Sequence, residues 1–152
     1  MKFTIWRKAI SINEYHKSTA SGRRYITKSG REFTNFIIKS IKHRRKELQE
    51  YFRNLEPDEM VQVYITHYQT NFYKKDGTFN QRCIDADNPA KIIVDTFMKV
   101  AKFDDYIIER VSCGKAYRPT KDIFKVEFSK VKVFKDGTQE LQNDEDKQST
   151  QV

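Results

Sequence analysis

The segment Arg82-Cys83-Ile84-Asp85-Ala86-Asp87-Asn88-Pro89-Ala90-Lys91 sets two carboxylates one residue apart, directly before the pattern of a helix start. In extended backbone, alternate side chains point to the same side, so Asp85 and Asp87 can converge on one ion. Like charges that close repel unless a proton or a cation neutralises them. Hard oxygen donors favour Mg²⁺, with Mn²⁺ as a substitute, over zinc. Phe103-Asp104-Asp105-Tyr106 offers a third carboxylate, Asp105 or Asp104, where a helix should give way to a strand. Lys91 follows Asp87 by four residues, where an ammonium can steady the carboxylates or meet negative charge developing on a phosphate. Its plainer use is an i,i+4 pair with Asp95. Aspartates in turns are often only solvated or capping, so it is the combination that points to a metal-dependent phosphoester chemistry.

Other chemistries lose support. Asp85-Ala86-Asp87-Asn88 is followed by Pro89 and lacks the glycine and final glutamate of an EF-hand. Phosphate-cradling glycine loops, dinucleotide fingerprints and nucleophile elbows do not occur, so no nucleotide cofactor is expected. His16, His43 and His67 lack ligand spacing and are expected on the surface or in strands. Cys83 and Cys113, without CxxC spacing, are expected to be reduced thiols.

The elements that must position these groups can be read from periodicity. Lys2 to Ile12 suits a first strand, and Glu14 to Arg24 a mobile cationic loop. A long helix is expected from about Lys28 to Asn54, capped by Thr27, with Phe33, Ile37, Ile41, Leu48 and Phe52 on its buried stripe. Met60 to Tyr68 alternates as a strand with Val61, Val63 and Ile65 on one face. Lys74-Lys75-Asp76-Gly77 marks a hairpin tip or a long loop. A second helix should start near Asn88 or Pro89 and reach about Lys102, burying Ile92, Ile93, Thr96, Phe97, Val100 and Ala101, with Lys91, Asp95 and Lys99 opposite. Strands from Tyr106 to Tyr117, with Ile107, Val111 and Cys113 inward, and from Asp122 to Phe134 complete the domain. A change of apolar phase after Phe128 predicts a bulge or an exit from the core. The order β-α-β-α-β-β predicts an α+β fold, a single domain over residues 1–135 with a mixed sheet packed against helices. Residues 136–152 form an acidic tail, expected to be disordered.

The formal net charge is +8, although Asp136, Glu140, Asp144, Glu145 and Asp146 face only Lys147 in the tail. The rest of the chain is more basic still and should attract a polyanion. No apolar run approaches the ~18 residues of a membrane span, and Met1 to Ser11 lacks the apolar stretch of a signal peptide, so a cytoplasmic protein without a membrane partner is expected.

Taken together, Asp85-x-Asp87-Asn88-x-x-Lys91, Asp95 and the Phe103-Asp104-Asp105 step resemble the RusA family of Holliday-junction resolvases. Ile10-Ser11-Ile12-Asn13-Glu14-Tyr15 is similar to that family's opening motif, and Tyr25-Ile26-Thr27-Lys28-Ser29-Gly30-Arg31-Glu32-Phe33 to the segment entering its first helix. The resemblance implies a homodimeric, Mg²⁺-dependent endodeoxyribonuclease of bacterial host or phage origin. Such an enzyme would bind four-way DNA junctions and nick them in pairs. It makes Asp85, Asp87 and Asp105 the catalytic acids and metal ligands, with Asp104 as a substitute for the third, and Lys91 the catalytic lysine. Arg23, Arg24, Lys28, Arg31, Lys74 and Lys75 are expected to face DNA. Departures from the family are a spacing between the acids about one residue short, the long Asp76-Gly77 loop and the acidic tail. Two rivals are a non-catalytic branched-DNA-binding or regulatory module on the same fold, and a nuclease for flaps or other branched DNA. A helix between the acids would span roughly 20 Å, so the third acid requires an early helix end, a bend, or a second subunit.

Overall fold

A computed structural model describes residues 1–81, 87 and 89–133. Its centre is a four-stranded mixed sheet of β1 (Lys2–Ile5), β6 (Ile123–Lys132), β4 (Glu59–Gln69) and β5 (Ile108–Tyr117), in that spatial order. β6 runs antiparallel to β1 and β4, while β4 and β5 are parallel. The crossover between the parallel strands includes α4 (Ala90–Ala101), as a parallel pair requires.

One face of the sheet is covered by α2 (Lys28–Ile41), α3 (Arg45–Arg53) and α4. The expected stripe of Phe33, Ile37, Ile41, Leu48 and Phe52 is buried. It does not lie on one helix, however, because a 3-10 turn at Lys42–Arg44 separates α2 from α3. Phe3, Phe97 and Phe128 pack edge-on or tilted, with centroids 4.9 to 6.1 Å apart, tying β1, α4 and β6 together. Helix α4 is buried on most sides, Val94 and Met98 included, and exposes only the polar stripe of Lys91, Asp95 and Lys99 apart from half-buried Val100.

The N-terminal expectations need correction. The first strand stops at Ile5, and Ser11 instead caps a short helix α1 (Ile12–Tyr15) through reciprocal bonds with Glu14. The segment expected to be a mobile loop forms a hairpin of β2 (His16–Ser18) and β3 (Arg24–Ile26), turned at Gly22, whose φ is +80°. Alternation is too short there to show against its Ser, Thr and Arg content. Thr27 caps α2 as expected, accepting from the Gly30 amide at 3.0 Å. A Cβ at Gly30 would meet the Tyr15 carbonyl oxygen at 2.7 Å, so α1 and α2 approach each other only over a glycine.

On β6 the pairing with β4 is unbroken from Ile123 to Lys132. The phase change after Phe128 is therefore the strand leaving the core, not a bulge. Among the described residues no helix covers the opposite face of the sheet, which presents Tyr64, Thr66 and Lys125. Among the described residues no helix is long and apolar enough to cross a membrane. The tail beyond Val133 and residues 82–86 and 88 lie outside the described residues.

Candidate active site

Asp87 sits in the turn entering α4, where its carbonyl accepts the Ala90 amide at 3.0 Å and Pro89 forms the helix cap. Its side chain is exposed and lies close enough to Cys113 on β5 to act on that thiol. Partial burial raises the Cys113 pKa, and the negative charge of Asp87 raises it further. An exposed carboxylate suits a hard cation. Asp85, the other half of the pair, is outside the described residues, as is Cys83.

Lys91 occupies the first turn of α4, with its Nζ 3.2 Å from the Asp95 carboxylate. The plain i,i+4 pairing is thus present. Both partners also line a cleft of about 430 Å³ between α2 and α4, together with Arg31, Lys99 and His16. The cleft is cationic, Asp95 being the only carboxylate on its wall among the described residues.

Asp104 and Asp105 are exposed beyond the end of α4, which closes at Lys102 in the left-handed conformation (φ 61°). Asp104 is extended, and Asp105 opens a 3-10 turn that leads into β5. Neither is brought to Asp87. Helix α4 runs its full twelve residues, about 18 Å. On the return path, Ile108 to Cys113 covers about 17 Å of strand. Asp105 therefore stands before the start of β5, while Asp87 lies beside its middle. Among the described residues no group of three or more His, Cys, Asp or Glu side chains is placed to hold a metal. An early helix end, one of the three ways to reunite the acids, does not occur.

The residues expected to face DNA lie in three places. Arg23 and Arg24 are exposed on the β2–β3 hairpin. Lys28 and Arg31 lie in the first turn of α2, Lys28 4.0 Å from Glu32 and Arg31 donating to the Ile26 carbonyl at 2.7 Å. Lys74 and Lys75 lie on a separate arm, where Tyr73 and Phe79 pair across the expected turn and Gly77 takes φ +82°.

Other features of the site's surroundings were not foreseen. Val111 and Cys113 point to the helix side, as expected, but remain exposed because among the described residues no helix reaches the outer edge of the sheet. Trp6 is exposed with the Arg118 guanidinium 4.8 Å above its ring. Tyr73, Phe79 and Tyr117 gather beside the open edge. A signal for the first pair was available, since Tyr73 and Phe79 stand symmetrically about Asp76. Trp6 and Arg118 gave none, being joined only by the tertiary fold.

Comparison with known families gives a match to the family described as endodeoxyribonuclease RusA over residues 10–127. The matched span contains Asp87, Lys91, Asp104 and Asp105, together with every residue expected to face DNA. No curated protein matches the chain.

Proposed function

Because this chain belongs to the endodeoxyribonuclease RusA family, we propose that it resolves four-way DNA junctions by Mg²⁺-dependent paired nicks, one from each subunit of a homodimer. It is a DNA endonuclease of a family of Holliday-junction resolvases that generally require a divalent metal. The observation that supports the finer reading is the position of Asp87, at the entry to α4 and on the uncovered side of β5.

In this reading Asp85 and Asp87 would hold the cation, whose chemistry there would be to activate water and offset negative charge on the phosphate. Lys91 turns from Asp95 to the scissile phosphate. An exposed ion pair contributes no more than about 1 kcal/mol, so the phosphate can outcompete Asp95 for it. The cations of the α2–α4 cleft and of the β2–β3 hairpin hold the DNA backbone.

The third acid, Asp105 with Asp104 as substitute, comes from the partner subunit. The distance along α4 and β5 supports this, as does the exposed edge on which a two-fold partner can lie. Mixing inactive Asp87→Asn and Asp105→Asn chains tests the point. Acids shared between subunits would leave one intact site in each mixed dimer and restore nicking, whereas acids owned by one subunit would leave none.

Synthetic four-way junction, flap and linear duplex incubated with Mg²⁺, and again with EDTA, test the function itself. Paired cuts in the junction that EDTA abolishes are expected. Faster cutting of the flap would redirect the substrate, and an uncut junction under every condition would overturn the proposal.

A further inference from the structure

The arm that follows β4 is closed by its own hydrogen bonds and ring contacts. Lys74 N–H donates to the Thr78 carbonyl at 2.8 Å and Gly77 N–H to the Lys74 carbonyl at 3.0 Å, closing the tip. The Asp76 carboxylate accepts from the Thr78 amide and hydroxyl, so the one acid of the tip is engaged locally and Lys74 and Lys75 carry its outward charge. Below the tip, the Tyr73 and Phe79 rings stack at 5.3 Å and 25°, with Phe72 edge-on to both. Tyr117 of β5 meets Tyr73 edge-on at 5.2 Å.

These rings do not serve the core. Phe79 is 66% exposed, Tyr117 48% and Tyr73 42%, and none belongs to the buried cluster. A contiguous apolar patch of large rings marks a binding surface. Lys74 and Lys75 border it and are exposed, which suits a ligand with both π faces and negative charge. Unpaired nucleobases on a phosphate backbone have that combination. Tyr117 lies four residues beyond Cys113, the neighbour of Asp87. That is about 13 Å along the strand, or about four base steps of B-form DNA.

We propose that the arm from Phe72 to Asn80 is a stacking platform for unpaired bases at the branch point of the DNA substrate, with Tyr73, Phe79 and Tyr117 receiving bases and Lys74 and Lys75 the adjoining phosphates. The proposal rests on the reading of the chain as a junction nuclease and adds the means of telling a junction from a duplex.

The test is fluorescence anisotropy with the full chain in EDTA, on a four-way junction and on linear duplex of matching sequence. Phe79→Ala should weaken junction binding by about 5-fold to 150-fold, the range of one lost base stack, and duplex binding by less than about 2-fold. Phe79→Trp should retain the junction preference. Replacing Lys74 and Lys75 by Gln should weaken both substrates and flatten the salt dependence. An equal loss on both substrates with Phe79→Ala, no loss on the junction, or a smaller sedimenting mass showing a protein interface would each overturn the platform. Wild-type chain with no preference for the junction would instead fail the parent reading.

Discussion

Strands β4 and β5 lie side by side, parallel and nearly equal in length, yet they belong to different worlds. On the helix side Val63, Ile65 and His67 of β4 are buried, while their register partners Val111, Cys113 and Lys115 on β5 are exposed. β4 is paired on both sides and β5 on one only, but on their shared helix side the difference in burial comes from what lies above the two strands. Helices α2, α3 and α4 roof β4, β6 and β1 and stop short of the outer edge. The roofed strands hold the fold together. Around the unroofed strand gather Asp87, the aromatic arm and an apolar residue, Val111, left 41% exposed. Such an edge is the natural place for a partner strand or a substrate.

Truncation should separate the two regions most sharply. Phe128→Ala removes a ring packed against Phe3, Phe52 and Phe97, and should cost about 3–5 kcal/mol in denaturant unfolding. Val111→Ala should cost less than about 1 kcal/mol. Comparable losses at the two positions would show that the β5 edge is roofed after all.

Acid offers a second probe, because the roof extends over His67. Neither of its ring nitrogens has a hydrogen-bond partner among the described residues, and Nε2 lies 4.0 Å from the Asp122 carboxylate. Burial pushes its pKa from 6.5 down to about 4, against a weaker upward pull from Asp122. The unfolded chain then binds the proton first. Stability from this group is complete above about pH 6.5 and falls as the pH drops toward 4. Between pH 7.5 and pH 5 the loss should be roughly 2 kcal/mol, measured as the shift in urea midpoint. His67→Phe should remove that slope, and a slope that survives would place its origin elsewhere.

The smallest expected effect on stability is at the exposed polar stripe of α4. Asp95→Ala and Lys91→Gln should each change stability by no more than about 0.5 kcal/mol. Lys91→Gln should nevertheless slow junction cleavage, which separates the resting pair with Asp95 from the proposed role at the phosphate.

Much of the roofed region was legible in the sequence because its signals are local and repeated. Phe33, Ile37 and Ile41 recur at helical spacing, and Val61, Val63 and Ile65 alternate. Thr27 and the Asp76-Gly77 turn announced themselves by residue type. The break at Lys42–Arg44 was hidden because the same apolar stripe continues across it into α3. Exposure of Val111 and Cys113 was hidden for a related reason: alternation tells which side a residue faces, not whether anything covers that side. The candidate site was legible as chemistry and not as assembly. Asp87 and Lys91 stand where their spacing placed them, at the head of α4, but the length of that helix carries Asp105 away from both.

The central claim is that the open edge beside β5 is where the DNA is cut, with Asp87 at its chemical centre. The most direct measurement is cleavage and binding of one four-way junction by Asp87→Asn and by the unaltered chain, with cleavage in Mg²⁺ and binding in EDTA. Loss of the carboxylate proposed to hold the metal should remove about 3 kcal/mol or more of transition-state stabilisation, slowing cleavage about 100-fold or more, while junction affinity stays within about 2-fold of the unaltered chain. Undiminished cleavage, or joint loss of cleavage and binding in a folded variant, would contradict it.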